Sequence, residues 1–102
     1  MDITAFRKSL DETTPPLGLT VHLESLWHDG KENWVRAHEI IQDMEDETAS
    51  WIHAYLHRKE GDTWNADYWY RKAGKIRSTL SPGDEWVSLV NYCLQKYPVN
   101  PT

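Results

Sequence analysis

His53 and His57 stand four residues apart in a run with a helical period, so both imidazoles leave the same face of one helix. That spacing offers two nitrogen ligands to a divalent metal, provided a third arrives from a neighbouring helix. His38 is the natural third, beside the apolar stripe of the preceding segment, and Glu39, Glu60 or Asp62 can supply an oxygen. The zinc-protease pattern is absent, because Ala54 stands where that motif needs a glutamate. A plainer reading makes the same histidines packed, hydrogen-bonded rim residues of a Tyr- and Trp-rich protein, and residue types alone favour it.

Without a metal, His53 or His57 beside Glu60, with Tyr55 or Tyr68 near, has the composition of a general acid–base site working near neutral pH. No nucleophile accompanies it: there is no Gly-x-Ser-x-Gly context, no Gly-rich phosphate loop, and Cys93 has no adjacent activator. The structural alternative has Arg58, Lys59, Glu60 and Asp62 capping and bridging helix ends. Trp64 and Tyr68, four apart, point nearly opposite to Trp69 and Tyr70 and need a cover. The last helix, with Trp86 and Leu89, is the expected cover, and a second subunit or a peptide is the functional alternative.

These residues lie in a chain of 102 residues, enough for one domain with one core. Six Trp and five Tyr against one Phe make that core aromatic, with indole N–H and phenol groups needing partners or the rim. Sixteen acidic against eleven basic residues give a formal charge of −5, which argues against nucleic acid and anionic membranes as partners. Cys93 is the single cysteine, so neither an internal disulfide nor a Cys-based zinc site can form, and a reducing cytoplasm is the expected compartment. No signal segment and no bilayer-length apolar run are read in the chain.

The punctuation divides the chain into one short and five longer segments with helical periods. The first is Ile3 to Leu10, ending before Pro15-Pro16, and the second Leu19 to His28, with Gly30 as a left-handed closing residue. The third, Lys31 to Met44, aligns Trp34, Ala37, Ile40, Ile41 and Met44 opposite Arg36, Glu39 and Asp43. A fourth, Asp46 to Glu60, is acidic at its start and basic at its end, as the macrodipole favours. Gly61-Asp62 then ends one helix and caps the fifth, whose inward face is Ala66, Trp69, Tyr70 and Ala73. Gly74 closes it, 75–81 is a loop, and Ser81-Pro82-Gly83-Asp84 opens a last helix that Pro98 and Pro101 stop.

The run Ala54-Tyr55-Leu56 through Gly61-Asp62 to Ala66, Trp69-Tyr70 and Lys72-Ala73 resembles one tetratricopeptide-type unit, without the proline that usually ends such a repeat. Leu26-Trp27, Trp34, Ala37-His38-Glu39, Gln42, Trp51 through Asp62, Asn65-Ala66, Tyr68-Trp69-Tyr70 and Ala73-Gly74 together resemble a family of short, functionally unassigned, mainly bacterial helical proteins. That resemblance implies only that the His- and aromatic-dense segment is what marks the group.

The expectation is therefore a single all-α domain over 1–102: antiparallel helical hairpins stacked as degenerate tetratricopeptide-like units, with an N-terminal helix and a C-terminal capping helix. The leading function is a small non-enzymatic module for a protein or peptide partner or for self-association, through Trp64, Tyr68, Tyr55 and Asn65. The alternative is an enzyme or ligand-binding protein with a pocket of His38, His53, His57, Tyr55 and Asn65, with a divalent metal or no cofactor.

Overall fold

The computed structural model describes residues 1–99, and Pro101 lies outside them. Six helices in chain order make the described residues all-α: α1 (Ile3–Ser9), α2 (Val21–Gly30), α3 (Trp34–Ile41), α4 (Glu47–Lys59), α5 (Thr63–Lys72) and α6 (Pro82–Lys96). None is long and apolar enough to cross a membrane.

Each helix starts where a short polar side chain can satisfy an orphan backbone donor. Asp2, Thr20, Asn33, Asp46, Asp62 and Ser81 each accept the N–H three residues on. Pro82 occupies the first turn of α6, where its missing N–H costs nothing. Asn33 sets the start of α3 at Trp34, three residues later than the periodicity alone suggests, because Lys31 and Glu32 still belong to the turn that closes α2.

That turn corrects one expectation. Gly30 is the last residue of α2, and the left-handed conformation falls to Glu32 at φ 61°. Gly30 serves packing instead: a Cβ there would meet Trp86 Cζ2 at 3.0 Å and the Leu10 methyls at 3.1 Å. Gly61 (φ 87°) and Gly74 (φ 72°) do end α4 and α5 in the left-handed region.

The central element is α4, which packs on α5, α6, α3 and α2 and is buried on nearly all sides. Ile52 and Leu56 join Phe6, Leu23, Leu26, Trp27, Ile41, Leu89 and Val90 in the main core. Toward α5 the contact is made by Ala54, Ala66 and Tyr70. Because α4 is enclosed, its polar residues must find partners within the protein, and they do so in three directions. His53 and His57 face α3 and α5, Tyr55 and Lys59 reach Asp29 of α2, and Arg58 reaches Glu85 of α6.

Candidate metal centre

The three histidines singled out by spacing meet in space. One ring nitrogen each of His38, His53 and His57 lies within 4.8 Å of the other two. His38 Nε2 and His53 Nε2 are 3.0 Å apart, a hydrogen bond between imidazoles in which a single proton lies between two nitrogens. Two nitrogens bound to one tetrahedral zinc at about 2.0–2.1 Å lie about 3.3–3.4 Å apart, so an ion replacing that proton asks for little movement of the pair.

The rings are held by stacking. Trp34 donates its indole N–H to the Leu56 carbonyl at 2.7 Å and lies over His38 with centroids 4.9 Å apart and planes 8° from parallel. On the other side Trp69 lies over His53 at 3.9 Å and 14°, and His57 continues that stack at 4.9 Å and 23°. His38 meets both His53 and His57 edge-on. Two indoles from α3 and α5 thus clamp three imidazoles from α3 and α4.

A hydrogen bond orients the third histidine. His57 Nδ1 donates to Glu60 Oε1 at 2.8 Å, with Asp62 Oδ2 3.9 Å away. A proton on Nδ1 leaves Nε2 as the lone-pair nitrogen, the usual carboxylate–histidine device by which a protein sets a ligand's tautomer. Asp62 is itself fixed by the side-chain amide of Asn65 at 2.6 Å, so Asn65 acts on the cluster through Asp62.

The electrostatics favour the uncharged form of His53 and His38. Burial, then the neighbouring His38 and His57 charges, pull His53 down to about 3. Burial and the His57 charge also lower His38, with Glu60 and Glu39 opposing. Neutral imidazole is the form a metal binds, so near neutral pH these two residues need lose no charge-bearing proton first. His53 is only 4% exposed and its Nδ1 is buried without a hydrogen-bond partner. An orphan polar atom of that kind costs about 1–3 kcal/mol.

The structure separates other residues from this cluster. Tyr55 does not join it, correcting the expected pocket. Its position on α4 is two residues out of phase with His53 and His57, and its hydroxyl donates to buried Asp29 at 2.6 Å. Burial and the Asp29 charge push that phenol up, so it stays protonated. Trp64 and Tyr68 are 79% and 41% exposed, and α6 does not cover them: it lies on α1, α2 and α4, with Trp86 against Phe6 and its indole N–H on the Leu26 carbonyl. Trp51, by contrast, is partly covered by α6, through Tyr92 and a bond to Glu85. His22 lies apart, bonded to Asp46 and stacked on Tyr97. Cys93 is buried in the core, which pushes its thiol up to about 12 and leaves it unreactive.

Sequence reasoning missed the two buried acids. Asp29 takes Tyr55 and Lys59, and Glu85 takes Arg58, Trp51 and Tyr70. The signal was present: Asp29 follows Leu26 by three and Glu85 precedes Leu89 by four, placing each acid on its helix's apolar face. Comparison with known proteins finds no matching family model, no matching curated protein and no matching solved structure.

Proposed function

We propose that the protein binds a divalent transition metal through His38, His53 and His57, with Glu60 orienting His57. The observation that carries this reading is the convergence of three imidazoles from two helices, two of them in direct nitrogen–nitrogen contact. An all-imidazole set suits zinc, copper or nickel, and three protein ligands leave a fourth position for water or substrate. Such an ion would supply Lewis acidity there. The protein's own contribution is to hold the rings between Trp34 and Trp69 and to keep His53 and His38 unprotonated.

The test is elemental analysis of untagged protein purified natively, followed by thermal unfolding with zinc, nickel or chelator for wild type and His53→Ala. Near-stoichiometric metal, and stabilisation by metal that the variant loses, is the expected result. Metal-free protein whose melting ignores all three additions sinks the reading.

A second reading, a small interaction module, is favoured by one observation: Trp64 at 79% exposure on the outer side of α5, with Tyr68 beside it. On this reading α2 with α3 and α4 with α5 form two degenerate tetratricopeptide-like hairpins whose partner is a protein, a peptide or a second copy, not nucleic acid or membrane, in a cytoplasmic setting. The close packing of α4 on α5 and of α2 on α3 supports it. Sedimentation of the Trp64→Ser/Tyr68→Ser double variant tests self-association: a wild-type dimer that dissociates in the variant supports it, and a monomer in both removes it.

A further inference from the structure

On the side of α4 away from the histidines, α1, the end of α2, α4 and the start of α6 border an open cleft of about 480 Å³. That volume falls in the range of small-molecule sites, about 300–1,000 Å³. Its walls combine an apolar surface, from Leu10 and Trp86, with a polar floor in which buried Asp29 holds the Tyr55 hydroxyl at 2.6 Å and the Lys59 ammonium at 2.9 Å. The floor is thus electrically balanced before any ligand arrives. Two charged residues at the cleft's rim, both exposed, are free to take a ligand: Arg7 and Glu32 make no ion pair among the described residues.

Glu32 adds a second observation. It is the one non-glycine among the described residues with positive φ, at 61°, a conformation that disfavours side chains and that glycine adopts freely. The glycine two residues earlier does not relieve this turn, because Gly30 is needed where Trp86 and Leu10 leave no room for a Cβ. The chain therefore places a carboxylate on the lining of a cleft at the left-handed position that closes α2, where glycine closes α4 and α5 at lower cost.

We propose that this cleft binds a small zwitterion of the apolar α-amino-acid class, with its carboxylate at Arg7, its ammonium at Glu32 and its side chain against Trp86 and Leu10. One unpaired cation, one unpaired anion and an aromatic wall match such a ligand in charge and in apolar surface. The site is independent of the histidine cluster.

The experiment is calorimetric titration of the full chain, in chelator, with L-phenylalanine as probe and with phenylacetate and phenethylamine as single-charge controls. Saturable one-to-one binding of L-phenylalanine is expected, weakened about tenfold or more in Arg7→Gln and in Glu32→Gly, as loss of a charged hydrogen bond implies. Each control should bind more weakly than the amino acid. The Glu32→Gly protein should also melt higher than wild type, which separates lost binding from lost folding. Absence of saturable binding, wild-type affinity in either variant, or either single-charge control binding as tightly as the amino acid would each overturn the proposal.

Discussion

Two of the three polar clusters around α4, those of Glu85 and of His53, differ in how completely they are satisfied. Around Glu85, only 1% exposed, every group has its complement: one oxygen takes the Arg58 guanidinium at 2.8 Å, and the other takes the Tyr70 hydroxyl at 2.6 Å and the Trp51 indole at 3.1 Å. Arg58 also donates to the Leu80 carbonyl, tying the loop before α6 to α4. Around His53 one imidazole nitrogen has another imidazole as its partner, and its second nitrogen has none. A saturated network fixes one geometry and has no capacity left for a ligand. The histidine cluster holds two ring nitrogens across a single proton, which an ion can replace. The Glu85 network is thus a structural clasp, whereas the histidine cluster retains unsatisfied nitrogen capacity, as the proposed metal site requires.

The largest expected effect lies on the clasp. Glu85→Ala takes the acceptor from the half-buried Arg58 guanidinium, the buried Tyr70 phenol and the half-buried Trp51 indole N–H, and removing one partner of a buried pair costs up to about 3–5 kcal/mol. For a chain of this length, whose whole stability is on the order of 5–15 kcal/mol, that is a large fraction, and urea unfolding at neutral pH should show it. A loss under about 1 kcal/mol would break the distinction, because the clasp would then be no more structural than the histidines.

The next effect concerns Glu60. Its bond to His57 Nδ1 is exposed enough for water to replace it, so Glu60→Gln should leave unfolding in chelator nearly unchanged. Outer carboxylates of metal-bound histidines typically contribute about 10–100-fold in affinity, and a competition titration with a chromophoric zinc chelator should show a loss of that size. Equal zinc affinity in wild type and variant would reduce Glu60 to a surface partner.

Much of this arrangement is legible from residue spacing. The Asp62 and Ser81 caps, the left-handed Gly61 and Gly74, the inward face of α5 and the His53/His57 pair follow from local rules of one or two turns, and the structure keeps them. What spacing does not carry is the azimuth of one helix about another. Tyr55, adjacent in sequence to a histidine-bearing turn, faces Asp29 instead, and Trp86 packs on Phe6 and Leu26 instead of over Trp64. The same gap hid the partners of the acids: spacing puts Asp29 and Glu85 on apolar faces, but that Lys59 and Arg58 of another helix meet them is set by the packing.

Acid sharpens the comparison further. Both His53 and His38 are lowered in the folded protein, so between their folded values and the ordinary histidine value the unfolded chain binds more protons. Stability of the metal-free protein should therefore be present above about pH 6.5 and fall as pH drops toward 3, by up to about 1.4 kcal/mol per pH unit for buried His53 and by less for half-exposed His38. Urea midpoints taken in chelator from pH 7 to pH 4 measure the slope. A flat profile would mean that the cluster takes up protons as easily as an exposed histidine does.

The smallest effect has the opposite sign. His53→Phe keeps a ring on Trp69, removes the orphan Nδ1 and leaves His38, which is only half-buried, to bond with water. Eliminating a buried unsatisfied group without opening a cavity should stabilise the metal-free protein by about 1 kcal/mol and abolish its stabilisation by zinc. No such gain is available at Glu85, where three donors would be stranded. If His53→Phe destabilises by as much as Glu85→Ala, the histidine is part of the scaffold. If it stabilises while zinc no longer raises the melting temperature, the chain holds His53 at a net cost to its own fold, which is the mark of a residue kept for a ligand.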